Sequence, residues 1–372
     1  MEFEKININQ RKQRVLIAPL DWGLGHATRC IPIIYALISL NFEVIIAVDG
    51  PIKNLLKKEF PDVVFTHLKG YKIRYSRQKS WLPVKLLSQF PKLLWRIYRE
   101  HQQLKAIISA HKIDVVISDN RLGLYSTVIP SVYITHQLKI KTGNAFSERL
   151  AQKIHYFFIN KYTACWVPDN ESENNLAGEL SHPLKKPAVP VKYLGPLSRF
   201  EKIETQKKYD VLVLLSGPEP QRTIFENLLQ EELKKFTGTV LLVIGLPEAA
   251  ENNSVADASN KITVVNHLAA GDLNKAIQQA KLVICRSGYT TIMDLIKLQQ
   301  KAVLVPTPGQ TEQEYLAKYL MEKKLFFAMP QNNFSLATAL ENAFNYPFVN
   351  ITIEQGEYKK VITAFADELK TV

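Results

Sequence analysis

Short apolar runs rich in β-branched residues alternate with helix-like stretches along this chain, and the alternation occurs twice. No other feature constrains the fold as much. Residues 14–20 (RVLIAPL), 42–48, 63–68, 114–118, 132–135 and 164–167 have the length and composition of buried strands, each closed by polar or turn residues. Helix-like segments at 27–39, 51–59, 82–111 and 146–161 separate most of them. The pattern restarts with strand-like runs at 209–216, 239–244, 261–265, 281–285, 302–305 and 325–329, with helices near 220–235, 271–279, 289–298, 312–323 and 335–344. Such alternation builds mostly parallel, doubly wound sheets. The expected fold class is therefore α/β, with two Rossmann-like domains facing a cleft. Residues 1–200 form the first domain and 208–350 the second, joined by the end of a Pro- and Lys-rich stretch, 182–208. A last helix, 356–370, has no strand after it and is expected to pack back on the first domain.

A chain of 372 residues with 46% hydrophobic composition can bury two cores. Its first residues are polar and mixed in charge, unlike a secretory leader, and no apolar stretch approaches the ~20 residues that span a bilayer. Three scattered cysteines, Cys30, Cys165 and Cys285, suit a reducing cytoplasm. The net charge of +12 is unevenly spread. Residues 1–200 hold 29 Lys and Arg against 15 Asp and Glu, and the remainder holds 18 against 20. The basic excess lies wholly in the first half, which points to an anionic partner for that domain.

In open α/β sheets, ligands bind where strands end at the cleft. After the first strand comes Asp21-Trp22-Gly23-Leu24-Gly25-His26, opening a helix. Gly23 and Gly25 allow a tight turn, and His26 falls near the positive helix end, which disfavours imidazolium and leaves a base near pH 7. Two other readings stay open here. A dinucleotide fingerprint would need a third glycine where Thr28 stands, although Asp49 does end the second strand; alternatively, the glycines only make a turn. In the second half, Ser216-Gly217 follows the first strand, with Arg222 close behind. Ser287-Gly288-Tyr289-Thr290 follows the fourth, and Gln310 to Glu314 follow the fifth, Gln313 among them. Amides at two helix starts, with the Ser216 and Ser287 hydroxyls, can cradle a diphosphate. Asp294, nearly two turns into its helix, can accept both hydroxyls of a ribose. No DxD, HExxH or paired-cysteine pattern occurs, so no metal and no cofactor is expected, and a leaving diphosphate would be met by Arg199, Arg222, amides and helix dipoles.

Together these segments resemble the metal-independent GT-B glycosyltransferases, and most closely the lipid-linked N-acetylglucosaminyltransferases of peptidoglycan synthesis and their relatives. In that family a glycine-rich turn carries a histidine near the acceptor, which GLGH with His26 matches. Gly195-Pro196-Leu197-Ser198-Arg199 resembles the family's Gly-Asn-Pro-Val-Arg, which gives Arg199 a donor-phosphate role. Arg286 to Asp294 resembles the segment whose acid binds the ribose, with Asp in place of Glu. Gln313-Glu314-Tyr315 resembles the Gln-Gln-Tyr that touches the donor sugar, and Leu268 falls where backbone pairs with uracil. Ser216-Gly217-Pro218 replaces the family's Gly-Gly-Ser, and Glu314 replaces a glutamine. The segment Asp119-Asn120-Arg121 and the pair His136-Gln137, which also end strands, have no counterpart to carry over and are candidate acceptor contacts beside Gly23 and Gly25, with surface or capping roles the alternative.

The resemblance implies transfer of a sugar, with N-acetylhexosamine one candidate, from a UDP-sugar to an acceptor hydroxyl on a glycan or lipid-linked molecule. The same scaffold also resembles UDP-sugar hydrolases of sialic-acid-like pathways, through Gly23, Gly25, His26 and Arg29; a non-catalytic nucleotide-sugar sensor is a third reading. No nucleic-acid motif accompanies the basic half. Residues 69–112 carry eleven Lys and Arg against one acid, Glu100, interleaved with aromatics and leucines. That composition suits contact with an anionic membrane surface, placing the protein in the cytoplasm or at the inner face of its membrane. Pro83 and Pro91 are expected to break this segment into pieces.

Overall fold

The computed structural model describes residues 11–21, 23–70, 82–246, 261–351 and 356–370, with side chains from residue 91 onward in the helix that begins at Leu82. The first half contains β1 (Arg14–Pro19), α1 (Leu24–Ser39), β2 (Glu43–Val48), α2 (Pro51–Glu59), β3 (Val64–His67), α3 (Leu82–His111), β4 (Val115–Asp119), β5 (Ser131–Ile134), α4 (Ala145–Ile159), β6 (Ala164–Val167) and β7 (Val191–Tyr193). The second contains β8 (Tyr209–Leu214), α5 (Gln221–Leu233), β9 (Val240–Val243), β10 (Ile262–Val265), α6 (Ala270–Gln279), β11 (Ala280–Cys285), α7 (Tyr289–Leu298), β12 (Ala302–Leu304), α8 (Thr311–Glu322), β13 (Phe327–Ala328), α9 (Leu336–Asn345) and α10 (Glu357–Lys370).

The strands form two sheets, ordered β3-β2-β1-β4-β5-β6-β7 and β10-β9-β8-β11-β12-β13, with every pairing parallel. Both orders reverse once, between β1 and β4 and between β8 and β11, and the loops leaving those strands diverge to either face. Register then decides which residues meet. Pro19 pairs with Asp119, so the turn into α1 lies beside the end of β4. Leu214 pairs with Cys285, which sets residues 215–220 beside 286–288.

An apolar cluster runs from Ile17 on β1 and Ile33 on α1 to Ile292 and Met293 on α7. The starts of α1 and α7 touch, with Thr290 Oγ1 donating to the Gly25 carbonyl at 3.2 Å. A Cβ at Gly25 would sit 2.9 Å from that hydroxyl, so glycine is what lets the two helices approach so closely. Gly23, one residue before α1, has φ +86°, a conformation that side-chain-bearing residues rarely adopt. Helix α10 lies against the first sheet: Phe365 meets buried Trp166 edge-on at 5.3 Å, and Gln13 Nε2 donates to the Leu369 carbonyl.

Two elements differ from the sequence reading. β7 lies inside the Pro- and Lys-rich stretch, where three residues after Pro190 carry too little periodicity to announce a strand. α3 is one helix of 30 residues despite its prolines. Pro83 falls in the first turn, where the amide has no partner to lose, and Pro91 sits at an exposed position. Among the described residues, no helix is long and apolar enough to cross a membrane.

Candidate active site

His26 occupies the first turn of α1, 16% exposed, at the point where β1 and β4 end together. Its Nδ1 lies 3.1 Å from Oδ2 of Asp119, the last residue of β4. Arg29, one turn on, is fully buried; its Nε donates to Asp119 Oδ2 at 2.8 Å, and its Nη2 pairs with Oδ1. Burial by itself would raise the Asp119 carboxyl, yet Arg29 and His26 hold it down at about 2. The carboxylate is thus permanently charged, and His26 Nδ1 lies between it and Arg29 Nη2, 2.9 Å away, so Nδ1 either donates to Asp119 or accepts from Arg29. The first arrangement leaves the Nε2 lone pair free to take a proton. Burial, and then the Arg29 charge, lower the pKa of His26 against the pull of Asp119. The imidazole therefore stays neutral at pH 7, for reasons other than the helix dipole invoked from sequence.

Beyond Arg29 the network reaches the other domain. Arg29 Nη1 lies 3.2 Å from His136 Nδ1, and His136 Nε2 lies 2.7 Å from Oε1 of Glu312, in the first turn of α8. The His136 ring stacks on Tyr289 at 4.1 Å, nearly parallel, and the Tyr289 hydroxyl donates to the Pro168 carbonyl. Thr311 Oγ1 also crosses, donating to the Lys141 carbonyl at 2.6 Å.

Across the cleft, the start of α7, the loop after β8 and the loop after β12 converge on Arg286. This residue is 1% exposed, and its guanidinium donates to the carbonyls of Gln221, Val305 and Pro306, with the ring of Phe225 4.2 Å away. No carboxylate pairs with it among the described residues, and burial lowers it to about 10. Its Nε, the Nε of Arg199 and the Oε1 of Gln221 are buried without a hydrogen-bond partner. Arg199 is lowered by burial, with Asp294 and Glu59 opposing. Asp294 accepts from Ser198 Oγ, and burial raises its carboxyl to about 7, against the pull of Ser198 and Arg199. Gly288 caps α7, and Gly217, at φ +105°, and Ser216 are exposed. Leu268 packs, partly buried, beside the main core, and Gln310 precedes α8. Arg286 without a carboxylate, the orphaned polar atoms beside it and the start of α7 suit a phosphorylated ligand.

Several residues proposed from sequence are committed elsewhere. Arg121 is buried, pairing with Glu100 Oε1 at 2.6 Å and donating to the Lys69 carbonyl, so it presents nothing to an acceptor. Asn120 adopts φ +58° and spends its Oδ1 on the Tyr133 hydroxyl. Arg222 lies between Glu219 and Glu226, its charge already balanced. The Ser287 hydroxyl donates to the Gln313 carbonyl, Gln313 Oε1 accepts from the Thr307 amide, and Glu314 Oε1 accepts from the Gly309 amide. These three shape the loops they were expected to offer to a ligand. Tyr289 and His136 pack into the domain contact. Asp119, Arg29 and Glu312 each fell in a segment singled out from sequence, but their bonds to one another and to His26 and His136 were not foreseen, because residues 90 and more positions apart give no local signal of contact. Among the described residues, no group of three or more His, Cys, Asp or Glu is arranged to hold a metal ion.

Residues 211–360 match the model of the glycosyltransferase family 28 C-terminal domain. An uncharacterized glycosyltransferase of Methanopyrus kandleri is 22% identical over 338 residues, covering 85% of this chain and 93% of that protein. The UDP-N-acetylglucosamine–N-acetylmuramyl-(pentapeptide) pyrophosphoryl-undecaprenol N-acetylglucosamine transferase of Histophilus somni is 24% identical over 250 residues, 63% of this chain and 65% of that one. Among solved structures, the kitacinnamycin glycotransferase superposes with a TM-score of 0.64 at 14% identity, covering 97% of this chain and 96% of its own. MurG of Acinetobacter baumannii gives 0.55 at 14% identity, covering 97% of this chain and 100% of its own.

Proposed function

We propose, from the premise that the chain is a GT-B glycosyltransferase whose residues 211–360 form a family 28 C-terminal domain, that it moves a hexose or N-acetylhexosamine from a uridine diphosphate sugar, without a metal ion, to the hydroxyl of a glycan or lipid-linked acceptor. The observation that carries this reading is the pairing of His26 with Asp119 at the start of α1, which touches the start of α7 close behind Arg286, a buried arginine with no carboxylate partner among the described residues. The acceptor oxygen attacks the anomeric carbon as the bond from that carbon to the diphosphate breaks, and His26 Nε2 takes the hydroxyl proton. Asp119 stabilises the imidazolium so formed. The departing diphosphate is met by the α7 amides near Gly288, the Gly217 loop, Arg199 and the field of Arg286. Asp294 receives the ribose hydroxyls once Ser198 yields its place. The hydrolase alternative finds no support among these relatives, which are named as transferases. Incubating the protein with UDP-N-acetylglucosamine and a lipid-linked acceptor, against donor alone, tests the reading. Acceptor-dependent release of UDP is the expected result; free sugar released at the same rate without acceptor would overturn it.

A lipid-linked acceptor places part of the protein at a membrane, and the described surface supports this. On α3, Leu94, Trp95 and Tyr98 are exposed, with Arg96 and Arg99 near the Trp95 ring. Beside them on α4, Phe157 is exposed, with Lys161 over its ring, and it lines an open apolar depression with Leu94, Lys153, Ile154 and Phe158. Residues 71–81 of the basic segment lie outside the described residues, as do the side chains of 82–90.

A further inference from the structure

Hydrogen bonds lead from His26 to the other domain. His136 Nδ1 faces an Arg29 N–H and accepts from it, and His136 Nε2 donates to Glu312. That bond holds the carboxyl of Glu312 down against its burial, and Asp119 is ionised. The groups facing His26 are Arg29 and the Cys30 thiol from α1, Asp119 from β4, His136 from the loop after β5 and Glu312 from α8; Thr290, from α7, is uncharged. Arg29 and Asp119 cancel. The cluster's remaining negative charge is Glu312, and it belongs to the opposite domain. With Glu312 in place, protonating His26 takes the buried cluster from −1 to neutral. Without it, the same step would create a net positive charge in a buried site, which is costly.

We propose that Glu312 is a positioning residue for the transfer step: docked against His136, it adds through Arg29 the negative charge that makes His26 an effective base. The strength of the base is thereby tied to contact between the acceptor-binding and donor-binding domains. The proposal rests on His26 being the base, and a separate variant tests that assignment.

The experiment compares wild type, Glu312→Gln, Glu312→Asp and His26→Ala, measuring kcat against pH at saturating UDP-N-acetylglucosamine, together with donor KM and the thermal unfolding curve. Loss of the charge makes His26 harder to protonate. The acidic limb of kcat in Glu312→Gln should therefore move to lower pH, by about one unit or less for a charge acting beyond direct contact. The plateau should fall by about tenfold, as a weaker base takes the proton less readily. Donor KM should change little, and Glu312→Asp should recover part of both effects. A lower plateau with an unmoved acidic limb would show that Glu312 only holds the domains together, and would overturn the proposal. So would a raised donor KM with unchanged kcat. If the limb persists in His26→Ala, the base assignment falls first, and Glu312 loses its role with it.

Discussion

Arg29 and Arg121, in the N-terminal domain, are buried against carboxylates, Asp119 and Glu100. Arg286, in the C-terminal domain, is equally buried, but it holds only backbone carbonyls and carries a pKa lowered to about 10. The two halves of the cleft have opposite charge economies. On the N-terminal side His26, its carboxylate partner and the Arg29 counter-ion are already bonded to one another. The C-terminal side holds a buried cation and polar atoms whose partners are missing, as suits a site completed by an anionic ligand. In the proposed reaction, catalytic geometry is preset on the first side and binding energy is concentrated on the second.

The largest effect should come from breaking the completed half. Asp119→Ala would strand the Arg29 charge in the core and should cost about 3–5 kcal/mol of unfolding free energy, measured by denaturant titration. Arg286→Met removes a charge that has no partner, so it should destabilise less, while weakening UDP binding by about 1.5–3 kcal/mol in calorimetry. If the two variants lost the same stability, the contrast between the halves would fail.

A smaller effect tests the ribose contact. Asp294→Ala should weaken UDP binding by about 1.5–3 kcal/mol, the scale of charge-assisted hydrogen bonds to two hydroxyls. The pH dependence has a definite sign. With its pKa raised to about 7, Asp294 must lose a proton to accept from the ribose, so donor affinity should fall as pH drops from 8 to 6. The change should be roughly tenfold, following the ionised fraction. A UDP-sugar is the suitable probe, because its diphosphate diester does not titrate in this range. Affinity that stays flat with pH in wild type, or that still varies in Asp294→Ala, would move the ribose elsewhere.

Weaker again is the surface contact. Changing Lys92, Arg96 and Arg99 together to glutamate should abolish sedimentation with anionic vesicles at low salt, each base near such a surface contributing about 1 kcal/mol. Wild-type protein remaining in the supernatant would favour an acceptor free in solution.

Much of this was legible in the sequence. Both sheets follow from period and composition, and α2, α3 and α7 begin and end where the pattern places them. The GLGH turn singled out His26 as a candidate because a histidine between tight-turn glycines and a helix start has a local signature. What the sequence withheld was pairing. Asp119 was visible as the end of a strand, but its bond to Arg29 depends on β1 and β4 being neighbours, which strand order decides. Arg121 looked like a ligand because Glu100, its partner, lies a helix away in sequence. Arg222 is the instructive exception: Glu226 stands four residues later, a helical ion-pair spacing that was available to be read. Glu312 could be placed in a donor loop, but its bond across the cleft needs both domains.

His26→Ala separates the two sides of the site. Calorimetric titration of wild type and variant with UDP-N-acetylglucosamine, alongside their turnover with acceptor, reads both halves at once. The donor Kd should be unchanged and turnover lower by about 10²–10⁴, the range for removal of a general base. Donor affinity that collapsed with His26, or turnover that survived its loss, would contradict that separation.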